Sequence, residues 1–192
     1  MLSVFSTLIV GCSKEDFEET NSTGFLPTPK ANEIYYTTTN GKFLDLSSKK
    51  WFHTDVISHT VKNDSIFVLT FIKDLEKIEY HMFNLLESRN DLLKSIRLPE
   101  GIKTIREAAF WHNPLENINI PKSVTAIEEY AFGHCKDFLT IYCEPLTPPT
   151  IGRKILQGID NPRIFVPKAC VEKYKTAEGW SEYADFIEGY NF

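Results

Sequence analysis

The sequence predicts a β-dominated α/β coil: a right-handed solenoid of stacked strand-and-turn units. A β-hairpin is expected to cap its N-terminal end and a helix its C-terminal end. Three observations carry this. A 22-residue pattern is written twice in succession, each copy closes its strand on a proline, and the flanks carry a turn signal on one side and an apolar helical face on the other.

Taken in chain order, residues 1–11 (MLSVFSTLIVG) are uncharged and mostly apolar. A stretch of roughly 10 residues is too short to span a bilayer as a helix, and it suits the apolar core of a secretory signal. Ile9-Val10-Gly11-Cys12 resembles the bacterial lipobox, in which the small residue admits the peptidase and the thiol takes the lipid. That resemblance implies Cys12 as the lipidated residue. The alternative is a buried N-terminal strand with an incidental Cys12. Ser13-Lys14-Glu15-Asp16 resembles the acidic export signal of Bacteroidetes lipoproteins, which implies the outer face of the outer membrane. From Phe17 to Lys30 the chain is polar, includes Pro27 and Pro29, and has no apolar period. Residues 12–31 therefore read as an anchor and flexible tether. One acyl chain binds only marginally, so multiple acylation is implied.

Residues 32–65 are expected to form the N-terminal β cap. Asn40-Gly41, following the stretch Asn32 to Thr38, is a type I′ turn signal and predicts a hairpin.

Residues 66–145 hold the repeats. LKSIRLPEGIKTIREAAFWHNP (93–114) is followed by LENINIPKSVTAIEEYAFGHCK (115–136). At the offset of 22, Leu93, Ile96, Leu98, Pro99, Ile102, Ile105 and Ala109-Phe110 meet Leu115, Ile118, Ile120, Pro121, Val124, Ile127 and Ala131-Phe132. Upstream by 27, Ile66, Leu69, Phe71, Leu75, Ile78 and Met82-Phe83 fill the same slots in degenerate form. Downstream by 23, Phe138, Ile141 and Cys143 repeat the strand, and Ile164, Val166 and Pro167 repeat it again 23 further on. Each unit begins with a one-sided strand, because Leu-x-x-Ile-x-Leu alternates at its end. Pro stops it, having no N–H for a ladder. The second half, Ile-x-x-Ile-x-x-x-Ala-Phe, has helical or turn-like spacing, with Ile and Phe filling the interior and Ala admitting a close backbone. A single unit cannot bury its apolar side; stacked units can.

Residues 146–192 supply the terminal strand and helical cap. Val171, Tyr174, Ala177 and Trp180 recur every three residues on one helical face, with Gly179 expected to break the helix before Trp180.

This pattern resembles the BspA-like bacterial leucine-rich repeats over about residues 32 to 188. The residues that carry the resemblance are Asn32 to Thr38 with Asn40-Gly41-Lys42, Ser58-His59-Thr60 with Phe71, and Ile141-Tyr142-Cys143-Glu144 with Pro148 to Gly152. Val166-Pro167 followed by Val171, Tyr174, Trp180, Tyr183 and Ile187 resembles the family's C-terminal cap. The resemblance implies a leucine-rich-repeat solenoid that works as a non-catalytic, adhesin-like surface protein. Host matrix or cell-surface proteins, or other bacteria, are the implied partners.

Composition narrows the classes. The 192 residues carry 21 basic against 26 acidic side chains, a net charge of −5. That argues against nucleic acid and against anionic lipid held by a basic face, leaving membrane contact to the lipid anchor alone. Four Cys in a chain this long do not make a disulfide scaffold. No phosphate-cradling Gly loop, H-E-x-x-H site, G-x-S-x-G elbow, C-x-x-C pair or Ca²⁺ loop is present. The expectation is a protein that is not an enzyme, with no cofactor and no metal. His112 and His134, 22 apart, should stack on neighbouring units; a pair is too few for four-coordinate zinc, so a surface turn is expected. Cys135, Cys143 and Cys170 are expected as free thiols, with a Cys143–Cys170 disulfide as the alternative in an oxidising location. Asp64-Ser65-Ile66 weakly resembles a Bacteroidetes O-glycosylation acceptor.

What is left for binding is the concave sheet. Strand alternation sends two columns outward: Thr70, Arg97, Asn119, Tyr142 and Phe165, and beside it Val68, Ser95, Asn117, Thr140 and Arg163. The candidate binding residues are Thr70, Arg97, Asn117, Asn119, Thr140, Tyr142, Arg163 and Phe165. The expected partner is a macromolecule at a cell surface: a protein, or alternatively a glycan captured for nutrient uptake and stacked on Tyr142 and Phe165.

Overall fold

Residues 26–47, 49–63, 65–84, 93–135 and 139–192 are described by the computed structural model. The expected export segment 1–11, Cys12 and the expected tether as far as residue 25, together with Asp64 and Phe138, lie outside the described residues, as does the side chain of His53. The strands are β1 (Glu33–Thr38), β2 (Val56–Asn63), β3 (Ile66–Phe71), β4 (Lys77–Ile78), β5 (Leu93–Arg97), β6 (Thr104–Ile105), β7 (Asn117–Ile120), β8 (Ala126–Ile127), β9 (Thr140–Cys143), β10 (Thr150–Ile151), β11 (Arg163–Pro167) and β12 (Ile187–Tyr190). Helices are short: α1 (Lys50–Asp55) and α2 (Val171–Lys175), with 3₁₀ turns at Lys168–Cys170 and Trp180–Phe186.

The strands sort into two sheets. One has eight strands in the order β12-β11-β9-β7-β5-β1-β3-β2, the other four in the order β10-β8-β6-β4. From β5 on, the chain visits the two sheets alternately until β11, and every pairing among these strands is parallel. One isoleucine row runs Ile96–Ile118–Ile141–Ile164–Ile187 along the large sheet. A second runs Ile78–Ile105–Ile127–Ile151 along the small one. Between them Phe83, Phe110 and Phe132 stack, with centroids 5.4 and 5.6 Å apart and planes within 10°. Phe83, Phe110 and Phe132 each donate their N–H to a carbonyl of the following unit, on Ala109, Ala131 and Ile155. The mostly-sheet, unclosed arrangement is that of a repeat fold.

The second half of each unit is a two-residue strand and a turn, not helix. Left-handed backbone recurs two residues before the Phe position, at His81, Ala108, Tyr130 and Lys154, and two after it, at His112, His134 and Gly158. Such residues end a helix but let a short coil turn back on itself within one unit.

The N-terminal region departs from the predicted hairpin. Gly41 has φ +66° but Asn40 is not left-handed, so the type I′ geometry is absent. A wider turn forms instead, in which Thr38 Oγ1 donates to the Lys42 carbonyl and the Lys42 N–H donates to Asn40 Oδ1. The reason is that β1 is needed inside the sheet: it pairs antiparallel with β3 on one side and β5 on the other. It therefore separates β3 from β5, which the repeat alignment makes neighbours. The tight antiparallel pair here is β2–β3, closed by Asn63 Oδ1 accepting from the N–H groups of Ser65 and Ile66.

At the other end Tyr174 and Trp180 are buried as their spacing predicts, ring against ring at 5.1 Å. Tyr174 OH donates to the Pro145 carbonyl and Trp180 Nε1 to the Pro149 carbonyl, which ties the helical segment to the loop after β9. Gly179 has φ +77° and follows the end of α2. Ile187, expected on the helical segment, instead begins β12, a further parallel strand against β11.

Candidate binding face

The outward side of the eight-stranded sheet is built by register. One row runs Val68–Tyr35–Arg97–Asn119–Tyr142–Phe165–Glu188. The row beside it runs Thr37–Ser95–Asn117–Thr140–Arg163. The predicted columns thus hold from Arg97 and Ser95 onward. Thr70 does not belong to them. It pairs with Glu33 and Ser58, two residues out of step with Arg97, because the antiparallel β1 intervenes and shifts the register.

The face has two unlike halves. At the β1–β3 end Tyr35, Ile66 and Val68 form a small apolar cluster of their own, against which Leu26 packs. Lys62 Nζ donates to Tyr35 OH at 3.1 Å and lies 4.7 Å from that ring, while Tyr35 OH donates to Glu33 Oε2 at 3.0 Å. Arg97 Nη1 donates to the Leu26 carbonyl at 2.5 Å. Residues 26–31, assigned from composition to the tether, therefore begin on the sheet. In mid-face Asn119 is only 6% exposed, and its Nδ2 donates to Glu144 Oε1 at 2.6 Å. Burial pushes the Glu144 carboxyl up, against the opposing pull of Arg97, Asn119 and Lys122.

The other half is aromatic. Tyr142 and Phe165 stack at 5.2 Å and 20°. Tyr190 stands across both at 5.5 Å, and Phe192, 46% exposed, follows it at 5.0 Å. The Arg163 guanidinium lies 4.9 Å from the centre of the Phe165 ring. Burial, then the nearby Tyr190, raise the Tyr142 hydroxyl. Asn117 and Thr140 are half-buried between the halves. Tyr35, Glu144, Glu188, Tyr190 and Phe192 were not among the predicted residues. A signal for Glu188 and Tyr190 existed: the step of 23 that links Ile141 to Ile164 reaches Ile187, and alternation then sends those two outward.

His112 and His134 stack at 4.7 Å and 11° on neighbouring turns, with Trp111 edge-on to both. Parallel rings hold their in-plane lone pairs parallel, so the two do not converge on one ion. Among the described residues no group of three or more His, Cys, Asp or Glu is placed to hold a metal. Cys135, Cys143 and Cys170 are free; Cys143 Sγ meets Tyr174 OH, while Cys170 Sγ turns to the Leu146 carbonyl. A cleft of about 500 Å³ lies beside Asp55, Asp74, Glu76 and Glu79, with Lys73 and Lys77 on its wall. Glu79 there is paired with Lys77 at 3.0 Å and Arg106 at 3.1 Å.

A family model described as "BspA type Leucine rich repeat region (6 copies)" matches residues 54–171, more than half of the chain. No curated protein matches it.

Proposed function

Since the chain belongs to the BspA-type leucine-rich repeat family, we propose that it is a non-catalytic surface protein that binds another protein through the outward face of its large sheet. The observation that carries the reading is the aromatic half of that face: Tyr142, Phe165 and Tyr190 side by side, with Arg163 over Phe165. Tyr, Phe and Arg are the residue types that anchor protein interfaces. A rigid ladder presents them at little cost in side-chain entropy. The two alternating parallel ladders are in this reading the faces of a right-handed solenoid, the hand that parallel crossovers take. The antiparallel β1–β3 unit would cap one end and the α2 segment the other.

The glycan reading is the weaker one. A sugar ring stacks on an open aromatic face, whereas Tyr142 and Phe165 each cover one face of the other. The lipobox at Cys12 and the acidic residues after it support an anchor in the outer membrane, with the domain exposed at the surface. Cys12→Ala should then release the protein from membranes.

The test is a binding array of matrix and cell-surface proteins and of glycans, run with the wild type and a Tyr142→Ala/Tyr190→Ala double variant. The expected result is a protein partner whose affinity falls at least tenfold in the variant. A partner that binds both equally, or retention only on glycans, would sink the proposal.

A further inference from the structure

The strand β3 reads Ile66-Phe67-Val68-Leu69, apolar on both of its faces. A strand facing water on one side alternates instead, so the outward side here is built to be covered. Its cover is the chain's own Leu26, which sits against Tyr35, Ile66 and Val68. The segment Leu26-Pro27-Thr28-Pro29 has no regular secondary structure; Pro29 is buried, and the chain then turns into β1 through the Glu33 N–H on the Lys30 carbonyl. Arg97, one place from Asn119 and two from Tyr142 in the outward row, clasps the Leu26 carbonyl. An apolar side chain on a floor of Tyr35, Ile66 and Val68, with a guanidinium on its own main-chain carbonyl, is the geometry of a bound peptide. Prolines favour an extended form and lower the entropy cost of holding it there.

We propose that Tyr35, Val68 and Arg97 form a peptide-binding subsite for an extended, apolar, proline-containing segment, and that residues 26–29 of this chain fill it until a partner segment of the same chemistry displaces them. The proposal rests on the outward sheet face being the binding face. It makes the site bipartite: an aromatic half, in which Phe165 is buried and Tyr142 and Tyr190 are part-exposed, and an Arg97 half that is self-occupied. The internal segment competes at the high effective concentration of a short connection. A partner therefore gains this half only after docking on the aromatic rings.

The test uses the full chain and a labelled peptide of residues 26–31. Three proteins are compared by fluorescence anisotropy: wild type, Leu26→Asp, and Leu26→Asp/Arg97→Ala. Circular dichroism checks each fold, and Leu26→Ser replaces Leu26→Asp if the latter melts early. The expected result is peptide binding at least tenfold tighter to the Leu26 variant than to the wild type, returning to the wild-type level when Arg97 is also removed. Equal binding to all three, or no binding to the Leu26 variant at millimolar peptide, overturns the subsite. A concentration-dependent wild-type dimer that the Leu26 variant does not form would mean that a second copy supplies the segment, and overturns occupancy by the same chain. The peptide needs no external partner, so an array without a protein hit would count against the proposed function and leave this result standing.

Discussion

Phe110→Ala removes the middle ring of the Phe83–Phe110–Phe132 stack. Phe110 is wholly buried, with a ring on either side at 5.4 and 5.6 Å. The hole left behind has little means of closing. Its two walls are rings on neighbouring turns, and their spacing is held by backbone bonds such as Phe83 N–H to Ala109 and Phe110 N–H to Ala131. Truncating a buried Phe costs ~3–5 kcal/mol, rising with the cavity that persists, so the upper half of that range is expected. Two ring contacts at ~0.5–1.5 kcal/mol each are contained within it. For a chain of this size ~2–4 °C of midpoint follows each kcal/mol, which gives a drop of roughly 8–20 °C. Urea unfolding followed by far-ultraviolet circular dichroism reads the change as a lower midpoint at unchanged slope. Phe110→Leu keeps most of the volume but loses both ring contacts, and should cost about 1–3 kcal/mol, less than the alanine. A loss under about 1 kcal/mol for Phe110→Ala, or equal losses for Ala and Leu, would refute the stacked-ring core.

Three further outcomes are expected. His59 is held near Phe43, Phe52 and the Tyr36 hydroxyl, and burial lowers its pKa from 6.5 to about 4. The unfolded chain therefore binds the extra proton between those values, so stability is full above pH 6.5 and declines toward pH 4. Because the ring is only about half buried, a loss of roughly 1–2 kcal/mol is expected after allowing for solvent, and His59→Phe should flatten that slope in pH-dependent urea melts. Gly152 has the Glu129 backbone N only 2.4 Å from where a Cβ would stand, so Gly152→Ala should cost at least ~2 kcal/mol. Gly41→Ala, with nothing within 4 Å, should cost only the ~1 kcal/mol of a left-handed residue; equal melting temperatures for the two would contradict the packing of Gly152 on the preceding turn. Burial pushes the Cys135 and Cys143 thiols up to about 12, so a thiol reagent at pH 8 should label the half-exposed Cys170 and leave both unmodified until the protein is denatured. Rapid native labelling of either would mean that the stack opens locally.

The unit interior was legible because its period is dictated by one geometry repeated. A parallel ladder demands that Ile96, Ile118, Ile141 and Ile164 recur at near-constant spacing, and each is a visible apolar residue at 22 or 23. The two-residue strands of the small sheet were less so. Ile105 and Ile127 stand out as apolar, but two residues carry no alternation from which to tell strand from turn. Ile187 differs for another reason: the resemblance, not the spacing, groups it with Tyr174, Trp180 and Tyr183 in the helical cap, and a 3₁₀ segment ending at Phe186 completes that helical pattern before the strand begins. The conflict between a helical period and the step of 23 is local, and the ladder wins because β11 offers an open edge with unpaired N–H and C=O groups.

Thr70 shows where the reading of the face had to fail, and why the failure matters for function. Repeat arithmetic assumes that consecutive strands are neighbours, yet β1 enters from outside the repeat and runs antiparallel between β3 and β5. An antiparallel insertion reverses the direction of counting: Tyr35 meets both Val68 and Arg97, so the row continues through Val68 and leaves Thr70 two places behind. The substitution of Tyr35 and Val68 for Thr70 changes the chemistry of that end from polar to apolar. The Leu26 segment needs such a surface, and Arg97 at its border supplies the charge-assisted bond to the main chain. The two halves of the face therefore have separate origins. The repeat writes Asn119, Tyr142, Phe165 and Glu188 by periodicity, whereas the floor under Leu26 exists only because a non-repeat strand was laid against it.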